Sequence, residues 1–394
     1  MGKYNFDTYH DRRNTSCLKW DFGLERKNRD DLLPLWVADM DFKLPDEILS
    51  DIAERVRHGI FGYTDPKEDY KDALKGWLLR RHGITIEDEW NTVVPGVVYG
   101  IATAIKALTE PGDHVIIQQP VYYPFLEMIE LNKRVAVNNQ LVYMDGKYSI
   151  DFEDFEKRIV DNDVKLFLLC SPHNPVGRVW TRQELEKLAD ICYRHGVYVF
   201  ADEIHFDFIY RGYEHISFAT LDDKYKEKFI LGTSASKTFN IAGLQVANII
   251  IPDKEVRAKF RRENEAAGYS QSNILGLVAT KAVYEKGEQW LDELLEYLAG
   301  NLTYIRNFLK EKLPEVKLVE PEGTYLVWLD FSGVTGDPKE LKEIVQEKAR
   351  LWLDAGVIFG KETALFERIN IACPRSTVEL AMNRLYEAIK DHQR

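Results

Sequence analysis

The stretch "KLFLLCSPHNPVGRVWTRQELEKLADICYRHGVYVFADEIH", residues 165–205, decides the fold. It opens on an unbroken apolar run, 165–170, too short for a helix and bounded by a Pro-rich turn. That pattern suits a strand covered on both faces. Residues 181–196 follow helical rules. Thr181 and Glu184 form a capping-box pattern, Leu185, Leu188, Ala189 and Cys192 make one apolar stripe, and Gly196 ends it. A second apolar run, 197–201, then leads into "DEIH". Strand, helix, strand is the unit of a parallel α/β sheet.

The same rhythm extends both ways. Candidate strands are 91–95, 114–118, 229–233 and 246–251, with helical patterns between them. The last hundred residues differ. Residues 322–331 and 366–374 read as strands, and 337–356 and 377–392 as helices, which suggests a smaller α+β domain. A long helix, 289–313, connects the two parts. The expected fold is therefore α/β: a large domain whose mostly parallel sheet is flanked by helices, plus a smaller α+β domain from both chain ends. The expected divisions are 1–45, packing with the small domain, 46–288 and 289–394.

A chain of 394 residues suits two domains. Its formal charge of −12 gives no global attraction for nucleic acid or anionic lipid, so neither is an expected partner. The first residues contain no apolar signal-peptide core, and no apolar run approaches the roughly 18 residues of a membrane span. Cys17, Cys170, Cys192 and Cys373 form no C-x-x-C pair, which fits free thiols in a reducing cytoplasm.

Three polar clusters follow predicted strands: Asn174 after 165–170; Asp202 and His205 after 197–201; Ser234, Ser236 and Lys237 after 229–233. Ligands of open α/β sheets bind beyond the carboxyl ends of the strands. One amide, one carboxylate and one amine would then share a crevice. Singly, each has a plain explanation as a turn residue, a helix cap or a solvated charge. A fourth cluster, "VVPGVVYGIATAIKAL" (93–108), offers a glycine and helix amides at Val97 and Val98, which favour an anion. Tyr122 and Tyr123 follow another strand and are either core aromatics or a flat surface for a planar ligand.

An anion pocket, an aromatic face, a carboxylate and an isolated lysine together match the needs of pyridoxal phosphate chemistry. A desolvated lysine loses its proton readily, as a nucleophile and base must. The rival reading of Ser234-x-x-Lys237 as a serine acylase motif also requires S-D-N and K-T-G, and neither string occurs. The nine histidines form no H-E-x-x-H or Cys/His ligand grouping, so no metal site is expected.

Eight ordered motifs span nearly the whole chain: "LPLWVADMDF", "GIFGYT", "VPGVVYGI", "QPVYYPF", "SPHNPVGRVW", "ADEIHFD", "SASKTFNIAGL" and "RINIACPR". With them the chain resembles fold-type I pyridoxal-phosphate enzymes of the class I/II aminotransferase family. Within that family it resembles the C–S lyase branch, the cystathionine β-lyases of the MalY/PatB type. The resemblance implies that Lys237 holds the cofactor covalently, Asp202 pairs with the pyridine nitrogen, Asn174 donates to the ring oxygen and Tyr122 stacks on the ring. It gives the phosphate to the backbone at Val97 and Val98, to Ser234 and to Ser236. It makes Tyr63 a phosphate ligand of the neighbouring subunit, hence a homodimer with a shared site. Arg368 would take the substrate α-carboxylate, with Ala38 lining the substrate pocket. Tyr63 and Tyr123 are candidates for protonating the leaving thiol.

Two positions depart from the aminotransferase pattern: His205 stands where many members have tyrosine, and Gln245 where many have a phosphate-binding arginine. Both resemble the lyase branch. The expected function is a cytoplasmic C–S β-lyase cleaving cystathionine or a related cysteine S-conjugate to a thiol, pyruvate and ammonia. The alternatives are an aminotransferase and, from another class, a regulatory binding protein on this scaffold.

Overall fold

The computed structural model describes residues 2–393. Seven strands build the large sheet: β1 Asn91–Val94, β2 His114–Ile117, β3 Val135–Asn138, β4 Leu166–Cys170, β5 Tyr198–Asp202, β6 Phe229–Thr233 and β7 Ala247–Ile250. Their spatial order is β1-β7-β6-β5-β4-β2-β3. β7 runs antiparallel to both its neighbours, and the remaining pairs are parallel. The mostly parallel sheet expected from the sequence is thus present. All five residues of β4 and of β6 are buried, because helices cover both faces and leave no side for polar alternation.

The sequence reading missed β3. This edge strand pairs with β2 alone; its apolar run is only residues 135–137, and of its four residues only Val137 is buried. Helix α1, Val97–Leu108, lies close on the sheet: a Cβ at Gly100 would stand 2.5 Å from Ile249 Cδ1. Helix α2, Arg182–Arg194, carries the capping box read from Thr181 and Glu184.

Helix α3, Glu288–Lys312, leads to the second sheet. Its strands are β8 Lys317–Val319, β9 Leu326–Asp330, β10 Asp354–Ala355 and β11 Phe366–Asn370, in the order β8-β9-β11-β10, all antiparallel. Helix α4, Arg375–His392, follows. The helix expected over 337–356 does not run that far. It spans Pro338–Lys342, widens through Glu343–Lys348, and ends where Arg350 turns left-handed at φ 53°. Leu351–Trp352 instead pairs with Leu33–Pro34 near the other chain end. The N–H groups of Leu33 and Leu35 bond the carbonyls of Arg350 and Trp352 at 2.9 Å. A local helical pattern yields here to a partner over 300 residues away in sequence.

Candidate active site

Strands β4, β5 and β6 end side by side, with Cys170 opposite Asp202 and Asp202 opposite Gly232. Their register brings the three polar clusters to one edge of the sheet. Ala38, Val97, Val98, Tyr122, Asn174, Asp202, His205, Ser236 and Lys237 line one cavity of about 210 Å³. Pro95 and Gly96 close it on the α1 side. A Cβ added at Gly96 would meet no protein atom within 4 Å, so the backbone opens onto free space where α1 begins. The first turn of a helix leaves N–H groups without intrahelical acceptors and carries positive partial charge.

Lys237 sits on the short turn Ala235–Thr238. Its Nζ donates to the Ala38 carbonyl at 2.7 Å. The side chain is half-buried by surface area, because its one opening is the cavity, and protein encloses the rest. That enclosure dominates: burial lowers the amine to about 8, with Arg368 also lowering it and Asp39 and Asp202 opposing. Asp202 is buried and accepts from Ile204 N–H at 3.1 Å. Burial raises its carboxyl to about 7, against the opposing pull of Ile204 N–H and Lys237. His205, also buried, is lowered to about 3 by desolvation and is neutral near pH 7; its Nδ1 has no partner. Desolvation raises the Tyr122 hydroxyl as well.

Arg368 on β11 reaches Asn174, in the cavity wall, from the second sheet. Nη1 donates to Asn174 Oδ1 at 2.9 Å, and Nη2 donates to the Trp36 carbonyl at 2.8 Å and to Asp354. Tyr123 packs half-buried between Tyr122 and Phe359. Ser234 lies beneath the cavity wall. Its Oγ donates to the Val246 carbonyl at 2.7 Å and accepts from Ser236 N–H at 3.0 Å, which caps the turn that carries Lys237. Tyr63 stands apart, 94% exposed, beside an open depression that also includes Pro95 and Gln245.

The sequence reading missed three contributors. Asp354 pairs with Arg368 but lay within the expected helix 337–356, so nothing marked it. Tyr325 donates its hydroxyl to the Ala38 carbonyl at 3.2 Å. Cys170 lines the cavity, and its sulfur accepts from Asn174 N–H at 3.4 Å, holding that turn. Its place as the last residue of a predicted strand was the available signal.

A lysine amine and a carboxylate, buried together at the carboxyl edge of an α/β sheet beside a helix start, define the class of lysine-centred α/β enzymes. The chain belongs to the aminotransferase class I and II family, whose model matches residues 30–385. It is 43% identical to cystathionine beta-lyase PatB of Bacillus subtilis (strain 168), covering 98% of this chain and 100% of that protein. It is 35% identical to protein MalY of Escherichia coli (strain K12), over 98% of this chain and 99% of that one. Among solved structures, cystalysin from Treponema denticola, which contains pyridoxal 5'-phosphate, superposes with a TM-score of 0.96 at 39% identity and covers 99% of each chain.

Proposed function

We propose that this protein is a pyridoxal-phosphate-dependent C–S β-lyase acting on cystathionine or a similar cysteine S-conjugate. One observation carries the reading: Lys237 and Asp202 face one cavity whose Asn174 is tied to Arg368. The likeness to PatB and cystalysin, each over nearly its full length, supports the choice of reaction.

The residues fit the cofactor. Asp202 is a buried carboxylate raised by desolvation, and a cationic ring N–H would relieve that cost. Lys237 is the amine for the aldehyde carbon, Tyr122 the aromatic face and Asn174 the donor to the ring oxygen. Val97 and Val98 N–H groups, with Ser236, would hold the phosphate at the start of α1. Ser234 supports this set by capping the lysine turn.

When bound, pyridoxal phosphate supplies an electron sink for the pair released at the substrate α-carbon. Arg368 binds the α-carboxylate and limits how the α-carbon can turn. Lys237 Nζ, made easier to deprotonate by burial, which lowers it to about 8, accepts the α-proton in its neutral form. The Cβ–S bond breaks, the thiolate takes a proton and leaves, and the aminoacrylate released hydrolyses to pyruvate and ammonia. Tyr63 and Tyr123 are the hydroxyls proposed to protonate the thiolate.

The same reading includes a homodimer. Exposed Phe61 and Tyr63 line the depression next to the site, and exposed Ile60 precedes them in sequence, a surface that suits a second copy. Four unpaired cysteines support a reducing cytoplasmic setting. Among the described residues no helix is long and apolar enough to cross a membrane.

The test is to incubate the purified holoenzyme with cystathionine, and separately with alanine plus 2-oxoglutarate. Thiol and pyruvate from the first alone are expected. Glutamate from the second, with no thiol from the first, would overturn the lyase in favour of an aminotransferase.

A further inference from the structure

The loop 36–41, "WVADMD", is held by side chains along its whole length. The Trp36 carbonyl accepts from Arg368, and those of Val37 and Asp39 accept from Asn370. The Met40 carbonyl accepts from Asn240 and Arg12. Between them the Ala38 carbonyl is left for Lys237 and Tyr325.

Beneath the loop lies a group of four charges, two of them from the N-terminal segment. Lys19 is 0% exposed and donates to Asp41 at 2.8 Å, with Asp39 at 3.7 Å. Arg12 grips both oxygens of Asp39, at 3.0 and 2.7 Å, and also donates to Asp41 at 2.9 Å. Trp20 Nε1 donates to Asp41 at 3.2 Å. Two cations face two carboxylates, so the group has no net charge. The Lys19–Asp41 pair is buried, and such a pair adds little stability over apolar packing, so its retention points to a positioning role.

We propose that Arg12, Lys19, Asp39 and Asp41 form the positioning device of the substrate site, fixing the Ala38 carbonyl against Lys237 without imposing a net charge on it. This rests on the proposed function, since it takes Lys237 as the reacting amine. The charged groups facing Lys237 are Asp39 from the loop, Asp202 from β5 and Arg368 from β11; the Cys373 thiol faces Lys19. Removing one member of the quartet therefore leaves an uncompensated charge that Lys237 feels through Asp39.

The experiment uses holoenzyme and two readouts. The first is the pH at which the absorbance of the lysine-bound cofactor titrates. Lys19→Met leaves one net negative charge, which favours the protonated nitrogen, so the titration moves to higher pH. Asp41→Asn leaves one net positive charge and moves it to lower pH. Arg12→Gln, at the half-exposed margin, is expected to shift upward as Lys19→Met does, and serves if that variant fails to fold. The second readout is kcat/KM, expected to fall roughly 10- to 100-fold in each single variant, as for a small misplacement of a reacting group.

The double variant Lys19→Met/Asp41→Leu restores neutrality and apolar packing. Its titration should return to the wild-type pH while kcat/KM stays low. Shifts of equal sign in Lys19→Met and Asp41→Asn, no shift in either, or recovery of kcat/KM in the double variant would overturn the proposal. If wild-type protein takes up pyridoxal phosphate but cleaves no cystathionine, the substrate reading fails while the titrations still judge the quartet.

Discussion

Replacing Asp202 with asparagine should strengthen the cofactor-free protein while disabling the enzyme. The carboxyl is raised from 3.8 to about 7 because it is buried with little to solvate its charge. At about 1.36 kcal/mol per pH unit, that displacement corresponds to roughly 4 kcal/mol against the charged form. The sign follows from linkage. The folded state holds this proton more tightly than the unfolded chain, so stability falls as pH rises from about 4 through about 7. Above that window the whole cost is present. Asparagine has nearly the same shape, keeps an oxygen for Ile204 N–H and carries no charge. Its buried amide hydrogens cost about 1–3 kcal/mol if unpaired, leaving a net gain of about 2 kcal/mol at pH 8.

The assay is denaturant unfolding of the cofactor-free wild type and Asp202→Asn at pH 8 and pH 5. The variant should lead at pH 8, and the lead should shrink or reverse at pH 5. Added pyridoxal phosphate should stabilise the wild type far more than the variant. The variant's kcat should fall by a factor on the order of 100 or more, since the interaction lost is the one proposed to serve the ring nitrogen. A variant weaker than wild type at pH 8, or a difference independent of pH, would refute the reasoning about Asp202.

Three further outcomes are expected. Lys237→Ala should lose lyase activity and the absorbance of the lysine-bound cofactor, read by spectrophotometry after dialysis and reloading. Arg368→Lys should raise KM for cystathionine about 10- to 100-fold with a smaller effect on kcat, because an ammonium cannot serve Asn174 and Asp354 and also bind a carboxylate as a fork does. Gly356→Ala should lower stability by at least about 2 kcal/mol in thermal or denaturant unfolding, since its Cβ would stand 1.9 Å from the Thr363 carbonyl oxygen, a backbone atom that cannot step aside cheaply.

The central strands of the large sheet were legible because burial on both faces makes them apolar runs, and runs such as "LFLLC" survive without knowledge of their neighbours. β3 was not, because its apolar run is only three residues, 135–137, and runs straight into the polar Asn138, Asn139 and Gln140, which read as a loop. The helix expected through 356 failed for a different reason. Its periodicity is genuine up to about residue 348, but Leu351–Trp352 is claimed by Leu33–Pro34, which no local window contains.

The candidate site divides in the same way. Asn174, Asp202 and Lys237 could be read from the sequence, since the fold rule for open sheets gathers residues after strand ends and the register of β4, β5 and β6 keeps those ends level. The sequence alone therefore determined the fold class and which lysine, carboxylate and amide gather at one edge of the sheet. The tertiary structure decided that Ser234 caps the lysine turn with its hydroxyl already engaged, and that Asp354 holds Arg368. It also decided that buried Lys19 and partly exposed Arg12 hold the carboxylates of the loop facing Lys237. These are contacts between segments far apart in sequence, and their partners are set by desolvation and distance, which no local pattern encodes.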